Sequence, residues 1–103
     1  MNNDEFEARI GFHHDQMHQA FLRDDGSIER LEDNVRVVAA ALDFIAQVAT
    51  IVEEQADADL YEQCEAMGMN IGGLLVSNTT RLIHARQAEA ELEMLNTTMV
   101  TIH

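Results

Sequence analysis

From Ile28 to Val52, apolar residues recur at alternating steps of three and four without a miss: Ile28, Leu31, Val35, Val38, Leu42, Ile45, Ala49 and Val52. Such steps keep one face of an α-helix apolar over three and a half heptads, the pattern of a packed helical seam. A second stripe lies beside the first, at Val37, Ala41, Phe44, Val48 and Ile51. Beyond Val35 only Arg36, Asp43, Gln47 and Thr50 hold a narrow polar face. A helix apolar round most of its circumference is covered from more than one side. Two other helices of one small chain can hardly provide that cover, so a partner subunit is expected to supply it. A helix over 28–54 is about 40 Å long at roughly 1.5 Å per residue, whereas a compact 100-residue globule is only about 34 Å across. The chain is therefore expected to be elongated.

The remaining sequence also reads as helix, because the 103 residues contain no proline and only five glycines. A first helix is expected over about 4–22, with Asp4 as its cap and Glu7 three residues on. Phe6, Ile10, Met17 and Phe21 form its apolar face, and His13 or His14 fills the gap. Arg23-Asp24-Asp25-Gly26-Ser27 is the clearest turn, and Ser27 is a good N-cap for the second helix, over 28–54. Asp57 or Asp59 is placed to cap a third helix over about 58–95. Its register residues are Leu60, Cys64, Met67, Ile71, Leu74, Asn78, Leu82, Ala85, Leu92 and Leu95. Gly68, Gly72 and Gly73 interrupt it, each costing about 1 kcal/mol relative to Ala. Gly68 and Gly72 share a face, which suits either a close helix crossing in an oligomer or a kink or break at 68–73. The tail, 96–103, is β-branched and nearly uncharged, and reads as frayed or as a short strand across a subunit interface.

These elements define an all-α single domain: an elongated helical hairpin with a shorter N-terminal helix, assembling into an oligomeric helical bundle. A homodimer or homotetramer is expected. Its interface is expected at Ile28, Leu31, Val35, Val38, Leu42, Phe44, Ile45, Val48 and Val52, with Gly68 and Gly72 on the third helix.

Charge bounds the partners. Nineteen acidic residues face six arginines and no lysine, for a net charge of −13. Residues 1–33 sum to −6, 34–52 to zero, 53–66 to −6, 67–88 to +2 and 89–103 to −3. A surface this negative repels nucleic acid and anionic lipid, so neither direct nucleic-acid binding nor membrane binding is expected. It favours a basic protein, approached through Asp24, Asp25, Glu29, Glu32, Asp33 and then Glu53, Glu54, Asp57, Asp59, Glu62 and Glu65. A halophilic proteome would also produce an acidic, lysine-free chain. The single cysteine, Cys64, excludes an intrachain disulfide framework. The opening Met-Asn-Asn-Asp-Glu is unlike a signal peptide, and Val37–Val52 reads as too short and too polar to span a bilayer. A cytoplasmic protein is expected.

No catalytic signature stands out. His14 and His18 lie one helical turn apart, a spacing that suits two ligands to one Zn²⁺ or Ni²⁺. A third ligand would have to come from Glu7, Asp15 or another chain. The Glu of a HExxH motif is absent, so metalloprotease chemistry has no support. Clustered histidines also suit pH-sensitive association. Glu29-x-x-Glu32 and Glu54-x-x-Asp57 resemble the ExxE…ExxD pattern of MazG-like nucleotide pyrophosphohydrolases, all-α oligomers that bind Mg²⁺. The likeness is confined to those four acids, which fall at opposite ends of one helix, too far apart to share a metal within a chain. The family is not assigned. Cys64, between Glu62 and Glu65, reads as a small core residue rather than a nucleophile. The stretch Gly68–Gly73 lacks the Lys-Ser/Thr ending of a phosphate loop. Ser77 has no matching His–Asp arrangement, and Met67, Met69, Met94 and Met99 read as core filling or an adaptable surface. The functional expectation is a regulator, inhibitor, anti-activator or secretion-type chaperone of bacterial or phage type, which binds a basic partner and could act by nucleic-acid mimicry. The alternatives are a metal-binding protein built on His14 and His18, and a structural assembly module.

Overall fold

The computed structural model describes residues 2–102, with side chains through Thr97. Among these residues the chain is all-helical, with α1 at Asn3–Leu22, α2 at Ile28–Glu54 and α3 at Ala58–Ile102, and no strand. Asn2, not Asp4, caps α1: its side-chain oxygen accepts the backbone N–H of Glu5 at 2.8 Å. Starting there gains a further backbone bond, from the Phe6 N–H to the Asn2 carbonyl at 3.0 Å. Asp4 instead sits in the first turn, where its charge suits the positive end of the helix. The first turn of the chain is pinned by two aspartates, Asp24 accepting from the Gly26 N–H and Asp25 from the Ser27 N–H, each at 2.9 Å. Gly26 supplies the left-handed conformation there, at φ +80°. Ser27 then caps α2, accepting the Arg30 N–H at 3.3 Å.

α2 is the central helix, with α1 and α3 both packed against it. The two apolar stripes of its sequence meet two different neighbours within the same chain. On one side Phe44 stacks on Phe6, ring centroids 6.1 Å apart, and on His13 at 5.0 Å. On the other side Ile45 lies beside Gly68 of α3. Contacts run in opposite directions along α2 and α3, from Ile45 with Gly68 through Asn34 with Asn78 to Glu32 with Arg86, so the two helices are antiparallel. The cover expected from a partner subunit is thus largely supplied by α1 and α3. Leu31, Val38, Phe44, Ile45, Val48 and Val52, expected at a subunit interface, are buried in the chain's own core. Gly68 likewise faces inward. Ile28, Val35 and Leu42 remain half-buried at the edge of the seam, and Gly72 is half-buried with open space beside it.

α3 passes through Gly68–Gly73 without a break and continues to Ile102, so neither the expected interruption nor the expected frayed or strand-like tail is found. The glycine penalties are local, and α3 is held on both sides of them by buried Leu60, Cys64, Ile71 and Leu82. His103 lies outside the described residues. α3 outruns α2: residues 86–97 are exposed throughout, including Leu92 and Leu95, the last register positions of the expected seam. The molecule measures 69 × 22 × 14 Å, with a radius of gyration of 18.9 Å, against about 13 Å for a compact chain of this length.

α2 also corrects the reading of its most apolar run. An eighteen-residue window within it has a mean hydropathy of 1.9, long and apolar enough to cross a membrane by length and composition. Here that apolarity is spent on two packed neighbours.

Candidate functional site

The turn between α2 and α3 places four residues of the second acidic block around a cleft. The chain leaves α2 through Ala56, which adopts a left-handed conformation at φ +56°. The Ala56 N–H bonds to the Glu53 carbonyl at 3.2 Å and the Asp57 N–H to the Val52 carbonyl at 3.3 Å. This is the bond pattern of a helix end that ordinarily carries glycine at the left-handed position. Asp57 rather than Asp59 then caps α3, its carboxylate accepting the Leu60 N–H at 3.2 Å. Because the turn is this tight, the ends of both helices open onto one concavity of about 580 Å³. Ala56, Ala58 and Tyr61 contribute its apolar surface, and Glu53, Asp57, Glu62 and Glu65 its charge. Tyr61 is partly exposed, and its ring offers both a face and a hydroxyl to a ligand.

The two acidic blocks differ in what holds them. In the first, Asp24 is gripped by Arg81 of α3 at 2.7 and 3.3 Å and accepts from the Asn34 amide at 3.0 Å. The Arg81 guanidinium, ahead of the Gly26 N–H, holds the Asp24 carboxyl below the usual carboxylate range. The hydrogen bonds from Ser27 do the same for Asp25. Glu32 pairs with Arg86 at 3.0 Å, and Asp33 with Arg36 at 3.1 Å and Arg30 at 3.7 Å. Asp24, expected to meet a partner, is thus tied into the fold by Arg81, whereas Glu32 and Asp33 carry surface ion pairs, and Asp25 and Glu29 are exposed without an ion pair among the described residues. In the second block, Glu53, Glu54, Asp57, Asp59, Glu62 and Glu65 are all exposed, and no ion pair engages any of them among the described residues. The negative charge of this block is thus left uncompensated by side chains of the described residues.

The histidine cluster divides. His13 is the inward one, stacked on Phe44 with Phe12 edge-on at 5.5 Å. Burial, then the charge of Arg9 and then His14, lower its pKa below the ordinary imidazole value. Arg9 lies over the same Phe44 ring at 5.4 Å. His14 and His18 are exposed on α1. No three His, Cys, Asp or Glu side chains gather in a way that could hold a metal ion among the described residues, so neither Glu7 nor Asp15 completes a site. Cys64 is buried, and desolvation raises its thiol pKa, which keeps it protonated and unreactive.

Sequence reasoning missed the buried polar pair beneath the first turn. Asn34 is fully buried and Asn78 nearly so; the Asn34 amide donates to the Asn78 side-chain oxygen at 3.1 Å, and Asn78 donates to the Leu74 carbonyl at 2.9 Å. The available signal was an asparagine on each of two otherwise apolar helix faces. Tyr61 and the strained Ala56 also went unremarked, because neither residue type announces a cleft until the turn geometry is known.

Compared with protein-family models, curated proteins and solved structures, the chain matches none of them.

Proposed function

We propose that this chain is a small acidic protein-interaction module of the cytoplasm, a regulator or inhibitor that assembles with itself as a helical bundle and binds a basic partner protein. The observation that carries this reading is the second acidic block: six exposed carboxylates without counter-charge, four of which, Glu53, Asp57, Glu62 and Glu65, line a cleft that contains Tyr61. Such a cleft suits an arginine or lysine side chain, whose apolar stem lies along Ala56, Ala58 and Tyr61 while its head meets the rim. The same charge opposes direct contact with nucleic acid or an anionic membrane. Electrostatic attraction of this kind speeds encounter more than it adds affinity.

The test is anisotropy with a fluorescent arginine-rich peptide and two variants of equal charge. One variant neutralises Glu53, Glu54, Asp57, Asp59, Glu62 and Glu65 to their amides. The other neutralises Glu5, Glu7, Asp15, Glu89, Glu91 and Glu93. The first is expected to lose at least tenfold in affinity and the second no more than about threefold, since exposed charges beyond a Debye length of about 8 Å are screened. Equal losses would reduce the interaction to net charge and overturn the site. No loss in either would favour a purely structural assembly module.

A further inference from the structure

The assembly reading needs a surface, and most of the α2 residues expected to supply it are already buried within the chain. We propose that the outer face of α3 is that surface: two copies pair antiparallel through Met69, Val76 and Ile83, about a two-fold axis at Val76. The inference rests on the assembly half of the proposed function and is independent of the basic partner.

Four observations converge on this face. Met69, Val76 and Ile83 are spaced by seven residues on one line of α3, and they are 77%, 68% and 48% exposed, away from the helix face that packs on α2. The stretch between Glu65 and Glu89 contains no acidic residue, although the chain carries nineteen. Two copies of charge −13 repel, so a self-contact is favourable only where carboxylates are absent, and this interval is by far the longest such surface. Gly72 and Gly73 lie in the middle of it, and a Cβ added to either would meet nothing within 4 Å. Nothing inside the chain requires glycine there, despite a penalty of about 1 kcal/mol each, whereas a second helix approaching closely would. Finally, the chain exposes 7131 Å², against about 5,800 Å² for a compact monomer of its 11.6 kDa. That surplus belongs to the rod as a whole, the overhang of α3 beyond Arg86 included, and it is larger than the roughly 800 Å² per partner that a stable interface buries.

The sequence on this line is also self-complementary. With Val76 meeting Val76 of the second copy, Met69 falls opposite Ile83, and Gly72 and Gly73 opposite Thr80 and Thr79. The acid-free interval is centred one residue from the same point, so the acid-free stretches of the two copies overlie each other over 66–86, and the acidic residues of the two copies meet only beyond the ends of that stretch. A two-fold contact requires this reciprocity. A second copy therefore brings an equally acid-free stretch to this face.

Sedimentation of the untagged full chain between 1 and 200 µM tests the pairing. The expected result is a species of twice the 11.6 kDa chain mass that Val76→Glu converts to monomer and Val35→Glu, on the half-buried edge of α2, leaves intact. Circular dichroism checks that both variants stay helical. A wild-type chain that is monomeric at 200 µM would overturn the assembly reading and this one together. A dimer that resists Val76→Glu and yields to Val35→Glu would overturn the α3 face alone. The register is read with a short bismaleimide, to which buried Cys64 is inaccessible. Val76→Cys is expected to crosslink with itself, and Met69→Cys with Ile83→Cys in a mixture at least fivefold faster than either with itself. Faster self-linking of Met69→Cys would mean a parallel pair and would overturn the antiparallel axis.

Discussion

At the scale of single residues, strain and desolvation are concentrated in two places. Ala56 holds a left-handed conformation that disfavours any residue with a Cβ, by about 1–2 kcal/mol. Glycine relieves it, so Ala56→Gly is expected to stabilise the chain by about 1 kcal/mol in urea unfolding, net of the greater freedom of the unfolded glycine. A loss of stability would show that the methyl group packs in the cleft more than it strains the turn. His13 is the second place. Its folded pKa is lowered, chiefly by burial against Phe44 and then by Arg9 and His14, below the ordinary 6.5. The unfolded state therefore takes up the proton first as pH falls. Neutral His13 contributes its full stability above pH 6.5, and that contribution is lost as pH drops through the lowered folded value. The unfolding midpoint should fall between pH 7 and pH 5.5, and His13→Phe should flatten that slope. An unchanged slope would place the pH dependence elsewhere.

At the scale of elements, what the sequence disclosed and what it hid have separate causes. Helix type and the start of α2 were legible because periodicity and Ser27 capping are local properties. The two stripes of α2 were legible as well, but not their owners: one stripe faces α1 through Phe44, the other faces α3 through Ile45, and only tertiary contact tells a neighbour in the same chain from a partner subunit. The end of α3 was misjudged because a β-branched tail has low helix propensity, which a long established helix overrides. The acidic blocks looked alike in sequence and differ because Arg81 and Arg86, 57 and 54 residues from Asp24 and Glu32, return to the first block alone.

The Asn34–Asn78 pair shows how two elements are keyed together. A buried amide left without its partner costs about 1–3 kcal/mol, whereas replacing both by apolar residues is close to neutral. Asn78→Leu alone is accordingly expected to cost about 2 kcal/mol, and adding Asn34→Leu to recover most of it, since Asp24 keeps Arg81 and the Gly26 N–H. The Asn34 side-chain oxygen already lacks a partner in the fold, which lowers the loss on removing it. A double-mutant cycle measures the coupling. Additive losses would mean that the two asparagines act independently and do not set the register of α2 on α3.

At the scale of the whole molecule, one charge imbalance acts on three equilibria, and salt separates them. Folding gathers nineteen carboxylates and only six arginines into one narrow rod, so self-repulsion opposes the compact state and screening relieves it. Raising sodium chloride from 10 mM to 300 mM should therefore raise the melting temperature, even though it weakens the exposed Arg86–Glu32 pair, which is worth little by itself. Pairing of two copies through the acid-free face of α3 obeys the same sign: each copy repels the other at long range, and the contact itself contains no opposed charges for salt to weaken. Its dissociation constant should fall, by at least threefold over that range. Binding of an arginine-rich peptide at the α2–α3 cleft obeys the opposite sign, because salt screens the attraction on which that contact depends, and its dissociation constant should rise at least tenfold. One titration, read by sedimentation for the pairing and by anisotropy for the peptide, thus gives opposite slopes if the two surfaces are distinct. Parallel slopes would mean that one surface serves both contacts, and the division of α3 into a neutral self-pairing face and an acidic end would fail.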